Sequence, residues 1–280
     1  MSSQDQKYQN FRALHARDGA FVMPNPWDAG SAKLLAAAGF DALATTSAGY
    51  AFSVGKRDGE GGLSRTEVLE NAHAIVTAVD LPVSADLEDG FGERPEACAE
   101  TVRQSAGVGL VGGSIEDATG DATNPIFDFD LAVDRVRAAA EAARGLPFLL
   151  TARAENFLHG RDDLGDTIRR LQAFSEAGAE VLYAPGLPSL EAISEVCREV
   201  DRPLNVVMGL RPPFFSVAQL SEVGVKRISV GGSFARAALG GLNRAAREVI
   251  ETGTFTYAHG AMPGSEIAAV MAPGTKGDRS

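Results

Sequence analysis

One phrase recurs along the sequence and limits what the chain can become: a helix-like segment, a small residue, a glycine, then a short apolar run. It occurs as Ala-Ala-Ala-Gly39-Phe-Asp-Ala-Leu, Ser-Ala-Gly107-Val-Gly-Leu-Val, Glu-Ala-Gly178-Ala-Glu-Val-Leu and Glu-Val-Gly224-Val-Lys-Arg-Ile. Each glycine is placed where a helix ends in a left-handed residue, which glycine adopts without steric cost, and a strand follows within a few positions. Before three other apolar runs Pro82, Pro147 and Pro203 mark the same boundary. Helix and strand in such alternation build βα units on a parallel sheet.

Counting the apolar runs gives eight candidate strands, at 20–23, 42–46, 82–86, 111–115, 148–151, 181–184, 204–208 and 227–231. Helical segments follow near 29–38, 64–79, 94–106, 130–143, 164–177, 189–200, 216–223 and 233–251. Ser64-Arg-Thr-Glu67 reads as a capping box opening the second of them. Eight such units in about 250 residues suit a (β/α)8 TIM barrel better than a doubly wound sheet. A further helix near 5–17 is expected to cover the barrel bottom. No linker divides the chain, so 1–255 reads as one barrel domain. Residues 256–280, rich in Gly, Pro and Ala, read as a tail, mobile from Ala258 onward or docked on a neighbour.

The net charge of −11, with no basic stripe, argues against nucleic acid or an anionic membrane as a partner. Cys98 and Cys197 fall in helix-like segments with no zinc or disulfide spacing, so buried free thiols in a reducing cytoplasm are expected. The first residues lack an apolar signal region, and no run approaches membrane-spanning length.

The chemistry concentrates at two strand ends. Leu81 to Gly92 reads as a short buried strand that carries Asp86, Glu88 and Asp89 into a Gly-Phe-Gly turn, and the next strand ends in Glu116 and Asp117. Water-poor carboxylates about 4 Å apart repel by roughly 4 kcal/mol at an effective dielectric near 20. Such a cluster must bind a cation, hold a proton or stay solvated; the alternative is that these acids cap the following helices and face water. Oxygen-only donors without a nearby His or Cys favour Mg²⁺ or Mn²⁺ over Zn²⁺.

Barrel topology puts active sites at the C-terminal strand ends. Those ends carry Asn25 and Pro26, Thr45 to Ser47, Asp86 and Glu88, Glu116 and Asp117, Arg153 and Glu155, Pro185, Met208, and Gly231 to Ser233. Arg153 can grip a carboxylate or phosphonate in bidentate fashion, or form a structural ion pair with Glu155 or Glu116. Gly231-Gly-Ser233 at a helix start could cradle an anion, or serve only tight packing. The glycine-rich loop from Ser47 to Gly62 is long enough to fold over the mouth and deliver Asp58. Ala118 to Asp128 is a second candidate lid. His15, His73 and His259 are expected at the surface, His159 within reach of the site, and Trp27 in packing.

Over essentially its full barrel the chain resembles the isocitrate lyase / phosphoenolpyruvate mutase superfamily. The resemblance rests on Thr45-Thr-Ser-Ala-Gly49, Gly55-Lys-Arg-Asp58, Asp86-Leu-Glu88-Asp-Gly-Phe-Gly92, Ile115-Glu116-Asp117 and Thr151-Ala-Arg153-Ala-Glu155. It implies a Mg²⁺-dependent enzyme that stabilises an enolate from a 2-oxo acid and makes or breaks a C–C or P–C bond. By the same resemblance Asp86 is the direct metal ligand, with Glu88 and Glu116 holding the metal through waters. Glu88 stands where the family often has Asp. Arg153 is the implied substrate clamp, Thr46 and Ser47 the turn that binds the substrate carboxylate, and Asp58 the catalytic loop aspartate. The resemblance also implies that the eighth helix, with Ala237, Ala238, Gly241, Ala245 and Val249 at helical spacing, swaps onto a partner's barrel in a homotetramer of paired dimers.

The chain departs from the superfamily after the fourth strand. The lyases' Lys-Arg-Cys-Gly-His gate is replaced by Ala118-Thr-Gly-Asp-Ala-Thr-Asn-Pro-Ile-Phe-Asp128, and Asn124 alone echoes the mutase gate. The expected reaction is cleavage of a C–C bond in a small 2-oxo or 2-hydroxy (di)carboxylate, as in an oxaloacetate decarboxylase or an acid lyase. Alternatives are P–C chemistry of the mutase and phosphonopyruvate hydrolase type, and an idle metabolite-binding barrel.

Overall fold

The computed structural model describes residues 3–59 and 62–272. Glu60 and Gly61 of the glycine-rich loop, and the 273–280 end of the tail, lie outside the described residues. The strands are β1 (Phe21–Met23), β2 (Leu43–Ala44), β3 (Val83–Asp86), β4 (Gly112–Glu116), β5 (Leu149–Arg153), β6 (Val181–Tyr183), β7 (Leu204–Val207) and β8 (Arg227–Ser229). All pairings are parallel, and the ladder runs β1-β8-β7-β6-β5-β4-β3-β2. The seam between β1 and β2 is closed just above the strands. Ala44 N–H donates to the Pro24 carbonyl at 3.0 Å, and the Asn25 amide donates to the Thr45 carbonyl at 2.8 Å. The sheet is the expected (β/α)8 barrel.

Around it run α1 (Ser3–Ala16), α2 (Ala29–Ala37), α3 (Ser47–Ser53), α4 (Arg65–Ala78), α5 (Pro95–Gly107), α6 (Phe129–Ala143), α7 (Leu164–Glu176), α8 (Leu190–Glu199), α9 (Val217–Glu222), α10 (Ser233–Thr252) and α11 (Gly264–Met271). The Ser64–Glu67 capping box forms at the start of α4. Gly39, Gly178 and Gly224 take the left-handed conformation at their helix ends; in the second phrase Gly109, not Gly107, does so. Much of the long loop after β2 is helical: Thr46 accepts the Gly49 N–H and starts α3.

Outward-facing strand residues pack on the helices in one continuous core that includes Val102, Val136, Phe174 and Val196. A second cluster fills the barrel floor, where α1 inserts Phe11 among Phe21, Met23, Leu149 and Val181. Burying a phenylalanine there contributes up to about 3 kcal/mol. Helix α1 thus covers the floor, as expected. It also carries His15 inward: the ring is buried between Phe11 and Phe21, edge-on to both, which corrects the expectation of a surface histidine. Cys98 is buried and Cys197 half-buried, both free thiols.

The C-terminal part differs from the rest. Of the twenty residues of α10 only Ala235 is buried, and Leu242 and Ile250 are 67% and 83% exposed, so its apolar face lacks cover within one protomer. Past α10, Glu248 accepts the Thr256 and Tyr257 N–H groups, and α11 returns to α2, where the Lys33 ammonium donates to the Met271 carbonyl at 2.8 Å. The tail expected as an arm therefore holds a helix docked on its own barrel. No described helix is long and apolar enough to cross a membrane.

Candidate active site

Strand alternation turns Asp86, Glu116, Arg153, Tyr183 and Ser229 toward the barrel axis at its C-terminal mouth. Arg153 is the centre of the cluster. Its Nη1 lies 3.0 Å from both Asp86 Oδ1 and Glu116 Oε2, while Nε and Nη2 donate to Glu155 Oε1 at 2.9 and 2.6 Å. The guanidinium rests on the Tyr183 ring, 4.7 Å from its centroid, a cation–π contact from below. Both readings of Arg153 therefore meet in one residue: it pairs with Glu155 and Glu116, and it faces the mouth.

Helix α3 and its loop bring the remaining groups. Ser47 donates to Asp86 Oδ2 through its N–H at 3.2 Å and its hydroxyl at 2.9 Å, and Asp58 lies beside the same side chain and Asp86. Thr46 is buried and caps α3. Asp58 is thus delivered to the mouth by the loop. Glu88 sits in the turn after β3 with φ +48°, and Phe91 with φ +60°; for non-glycine residues this costs about 1 kcal/mol or more each, strain typical of functional turns. The turn is held from behind by Arg135, which is buried, stacks on Phe127 and donates to the carbonyls of Asp89, Gly92 and Glu93.

Five carboxylates thus crowd one guanidinium, and three of them, Glu88, Asp58 and Glu116, hold their protons more tightly than usual. Burial, then Asp86, Asp58 and Asp89, push Glu88 up to about 8. Burial and Asp86 raise Asp58. Burial raises Glu116 despite Arg153 beside it. Burial alone would lower Arg153, but Glu116, Glu155 and Asp86 outweigh it and hold the guanidinium above its ordinary range. Behind the site Asp117 accepts the Glu155 N–H at 2.8 Å and pairs with Arg170 at 3.1 Å; burial pushes it up to about 6.

Asp86, Glu88 and Glu116 offer only hard oxygen donors, the chemistry of Mg²⁺ or Mn²⁺. The raised acids are a misfit that a divalent charge would relieve, so the donor set fits such an ion. In this arrangement Arg153 stands between Asp86 and Glu116, and among the described residues no three His, Cys, Asp or Glu are grouped as a metal cage.

Other expectations fare differently. The Gly231 N–H is already engaged: it and the Val230 N–H both donate to Asn25 Oδ1 at 2.9 Å, which ties β8 to β1. His159 Nε2 lies 3.9 Å from Glu155 Oε2 at the edge of the site. The second lid is short and pinned by an antiparallel bridge between Ala118 and Ile126. Tyr183 and the bridging role of Ser47 were not singled out from sequence; Tyr183 ends an apolar run, and only its inward phase on β6 marks it.

A strained, acid-crowded mouth on a (β/α)8 barrel defines an enzyme, since a binding module gains nothing from uncompensated buried carboxylates. The chain belongs to the phosphoenolpyruvate phosphomutase family, whose sequence model matches residues 11–250, and so to the isocitrate lyase / phosphoenolpyruvate mutase superfamily. A candidate lyase/mutase from Burkholderia cenocepacia J2315 is 55% identical, with a TM-score of 0.94 over 97% of this chain and 98% of that one. The 2-methylisocitrate lyase of Escherichia coli is 29% identical over 248 residues, 85% of this chain and 81% of the relative. A 2,3-dimethylmalate lyase structure is 27% identical, with a TM-score of 0.85 over 95% of both chains. These similarities place the chain among carbon–carbon lyases and phosphomutases.

Proposed function

We propose that the chain is a Mg²⁺-dependent lyase that cleaves a C–C bond of a small 2-oxo or 2-hydroxy (di)carboxylate through an enolate, with Mn²⁺ able to replace Mg²⁺. The observation that carries this reading is Arg153, a single clamp set among five acids. One guanidinium matches one carboxylate of a substrate in bidentate geometry. The E. coli and 2,3-dimethylmalate relatives named above act on branched hydroxy acids, which supports the class but not a particular substrate.

Asp86, with Glu88 and Glu116 outside it, would hold the metal, which when bound acts as a Lewis acid toward the substrate's oxygens. The protein's own residues supply the rest. Arg153 turns from Asp86 and Glu116 to the substrate carboxylate and favours the negative charge that develops as the bond breaks. The Thr46–Ser47 turn at the start of α3 offers the Ser47 N–H, now on Asp86, to a second substrate oxygen. Asp58, its proton affinity raised by burial and Asp86, takes up the hydroxyl proton of a 2-hydroxy substrate as the C–C bond breaks and returns it to the enolate carbon. The Val54–Gly59 stretch, which carries Asp58, closes over the mouth and excludes water.

The test is a panel of 2-oxo, 2-hydroxy and phosphono acids with Mg²⁺. Release of pyruvate or glyoxylate from a dicarboxylate is expected. A change only in the ³¹P signal of a phosphonate would move the chain to P–C chemistry, and no turnover on any of them would favour an idle binding barrel. We also place it in a reducing cytoplasm, on its two free thiols, with small carboxylates as ligands and no nucleic-acid or membrane partner. The uncovered face of α10 supports a helix-swapped dimer pairing into a homotetramer. Light scattering that gave one 29.3 kDa subunit with full activity would exclude the assembly.

A further inference from the structure

Below the acid cluster, inside the barrel, lies a buried cation that the chemistry above does not use. Arg227 on β8 is 2% exposed and meets no carboxylate among the described residues. Its Nε donates to Asn205 Oδ1 at 3.0 Å, its Nη2 to Thr151 Oγ1 at 3.0 Å, and its Nη1 approaches His15 Nε2 at 3.4 Å. The charged and titratable groups facing it are His15 from α1, Tyr183 from β6 and Arg153 from β5. His15 cannot neutralise it: its Nδ1–H is spent on the Phe11 carbonyl, which leaves a lone pair toward Arg227, and burial with Arg227 holds the ring neutral down to about pH 3. Leaving an ion buried without a counter-ion costs several kcal/mol, and the layer beneath is filled by Phe21, Leu149 and Val181 at no such cost. A barrel selected only for stability would continue that apolar layer upward.

The contacts of Arg227 lead to the reaction centre. Thr151 stands two residues before Arg153 on β5, and Arg227 two before Ser229 on β8, so each pair points inward at successive levels. Asn205, held by Arg227, donates to Ser229 Oγ at 3.2 Å; Ser229 reaches the Tyr183 hydroxyl at 3.4 Å; and the Tyr183 ring carries Arg153. We propose that Arg227 is a positioning residue for the clamp. Through Asn205 and Ser229 it fixes the Tyr183 ring under Arg153, and its own charge from below keeps the Arg153 guanidinium turned up toward the mouth acids. This deepens the reading of Arg153 as substrate clamp and rests on it.

The test reads Arg153 directly and needs no substrate. In protein labelled with ¹⁵N-arginine, the Arg153 Nε–H signal, identified by its loss in Arg153→Lys, reports the bond to Glu155. Ser229→Ala, which breaks the relay while leaving every charge in place, is expected to speed exchange of that proton roughly five- to tenfold, the consequence of one weakened hydrogen bond. Arg227→Met is expected to speed it further, and Arg227→Lys to restore part of the protection. Backbone amides of β5 and β6 are expected to keep their rates, which separates positioning from general loosening. Unchanged Arg153 exchange in folded Ser229→Ala overturns the proposal, as does loss of protection that spreads equally through the strands. If Arg227→Met does not fold, Ser229→Ala decides alone. Failure of every substrate in the panel would sink the lyase reading and leave this result standing.

Discussion

Arg153 at the barrel mouth and Arg227 beneath it are both withdrawn from water, yet their surroundings are opposite. Arg153 meets three carboxylates, with Glu88 and Asp58 crowding in beyond them. Arg227 meets an amide, a hydroxyl and a neutral imidazole. The mouth holds an excess of negative charge that shifts its own proton affinities; the interior below holds a positive charge with no carboxylate among the described residues beside it. Groups whose charge is unsettled can change partners when a ligand arrives, whereas groups fixed by neutral acceptors keep their geometry through the reaction. The difference teaches where the chain keeps its working parts and where it keeps their support.

The comparison breaks most visibly at Asp86. Asp86→Ala is expected to abolish Mg²⁺ binding in calorimetry and to cut turnover at least about a thousandfold, roughly 4 kcal/mol at the transition state, while the barrel stays folded. Unchanged Mg²⁺ affinity would remove Asp86 as the ligand. Arg153→Met tests the other half of the cluster. It leaves Asp86, Glu116 and Glu155 without their shared cation, and removing one partner of a buried pair costs about 3–5 kcal/mol. Denaturant unfolding should show that loss, and Mg²⁺ should recover part of it. A stability equal to wild type would mean that the acids escape to solvent and that the mouth is not frustrated.

The two regions should also respond to pH with opposite sign. His15 is held near 3 in the fold against an ordinary 6.5, so the unfolded chain binds the extra proton between those values. Its contribution is present above about 6.5 and is lost as pH falls toward 3, with a slope near 1.4 kcal/mol per unit. Glu88 is raised from 4.5 to about 8, so the folded chain binds the extra proton, and stability is lost as pH rises through that window. His15→Gln should flatten the acid limb of the stability profile and Glu88→Gln the neutral limb. The same slopes in wild type and either variant would show that the assigned group does not titrate differently on folding.

The regions were unequally legible in the sequence. The repeated helix–glycine–strand phrase marks the alternation, and counting eight apolar runs leaves few architectures open, so the barrel could be read directly. Asp86, Glu116 and Arg153 were visible because they end strands, and strand ends are where a barrel keeps its site. What happens inside the barrel was not visible. Arg227 reads as one basic residue in Val225-Lys-Arg-Ile, and nothing local says that it points inward while Lys226 points out. His15 looked exposed because α1 is polar along most of its length; only packing against Phe11 and Phe21 shows its buried side. The Gly231 N–H looked free for an anion because its acceptor, Asn25, lies at the far end of the chain. Pairings across the barrel are long-range, and periodicity along one segment does not encode them.

The smallest effect is expected at Ser47, where the comparison can be sharpened without touching a charge. Its hydroxyl and N–H both hold Asp86, and Asp58 lies beside the same side chain, so one small residue stands between two repelling acids. Ser47→Ala keeps the N–H bond and the start of α3, which Thr46 caps, but removes the hydroxyl. The loss of one such bond is worth about 1 kcal/mol. Asp58, facing an Asp86 carboxylate that the hydroxyl no longer satisfies, should swing away from it and take its loop along. Hydrogen exchange of the Val54–Gly59 amides should then quicken by roughly fivefold, with the floor amides of β1 and β5 unchanged. Mg²⁺ with oxalate, an enolate mimic, should slow the same loop again, because a cation at Asp86 replaces repulsion with attraction. Equal exchange in wild type and variant would show that the loop is held by its own backbone and not by the acids it brings together.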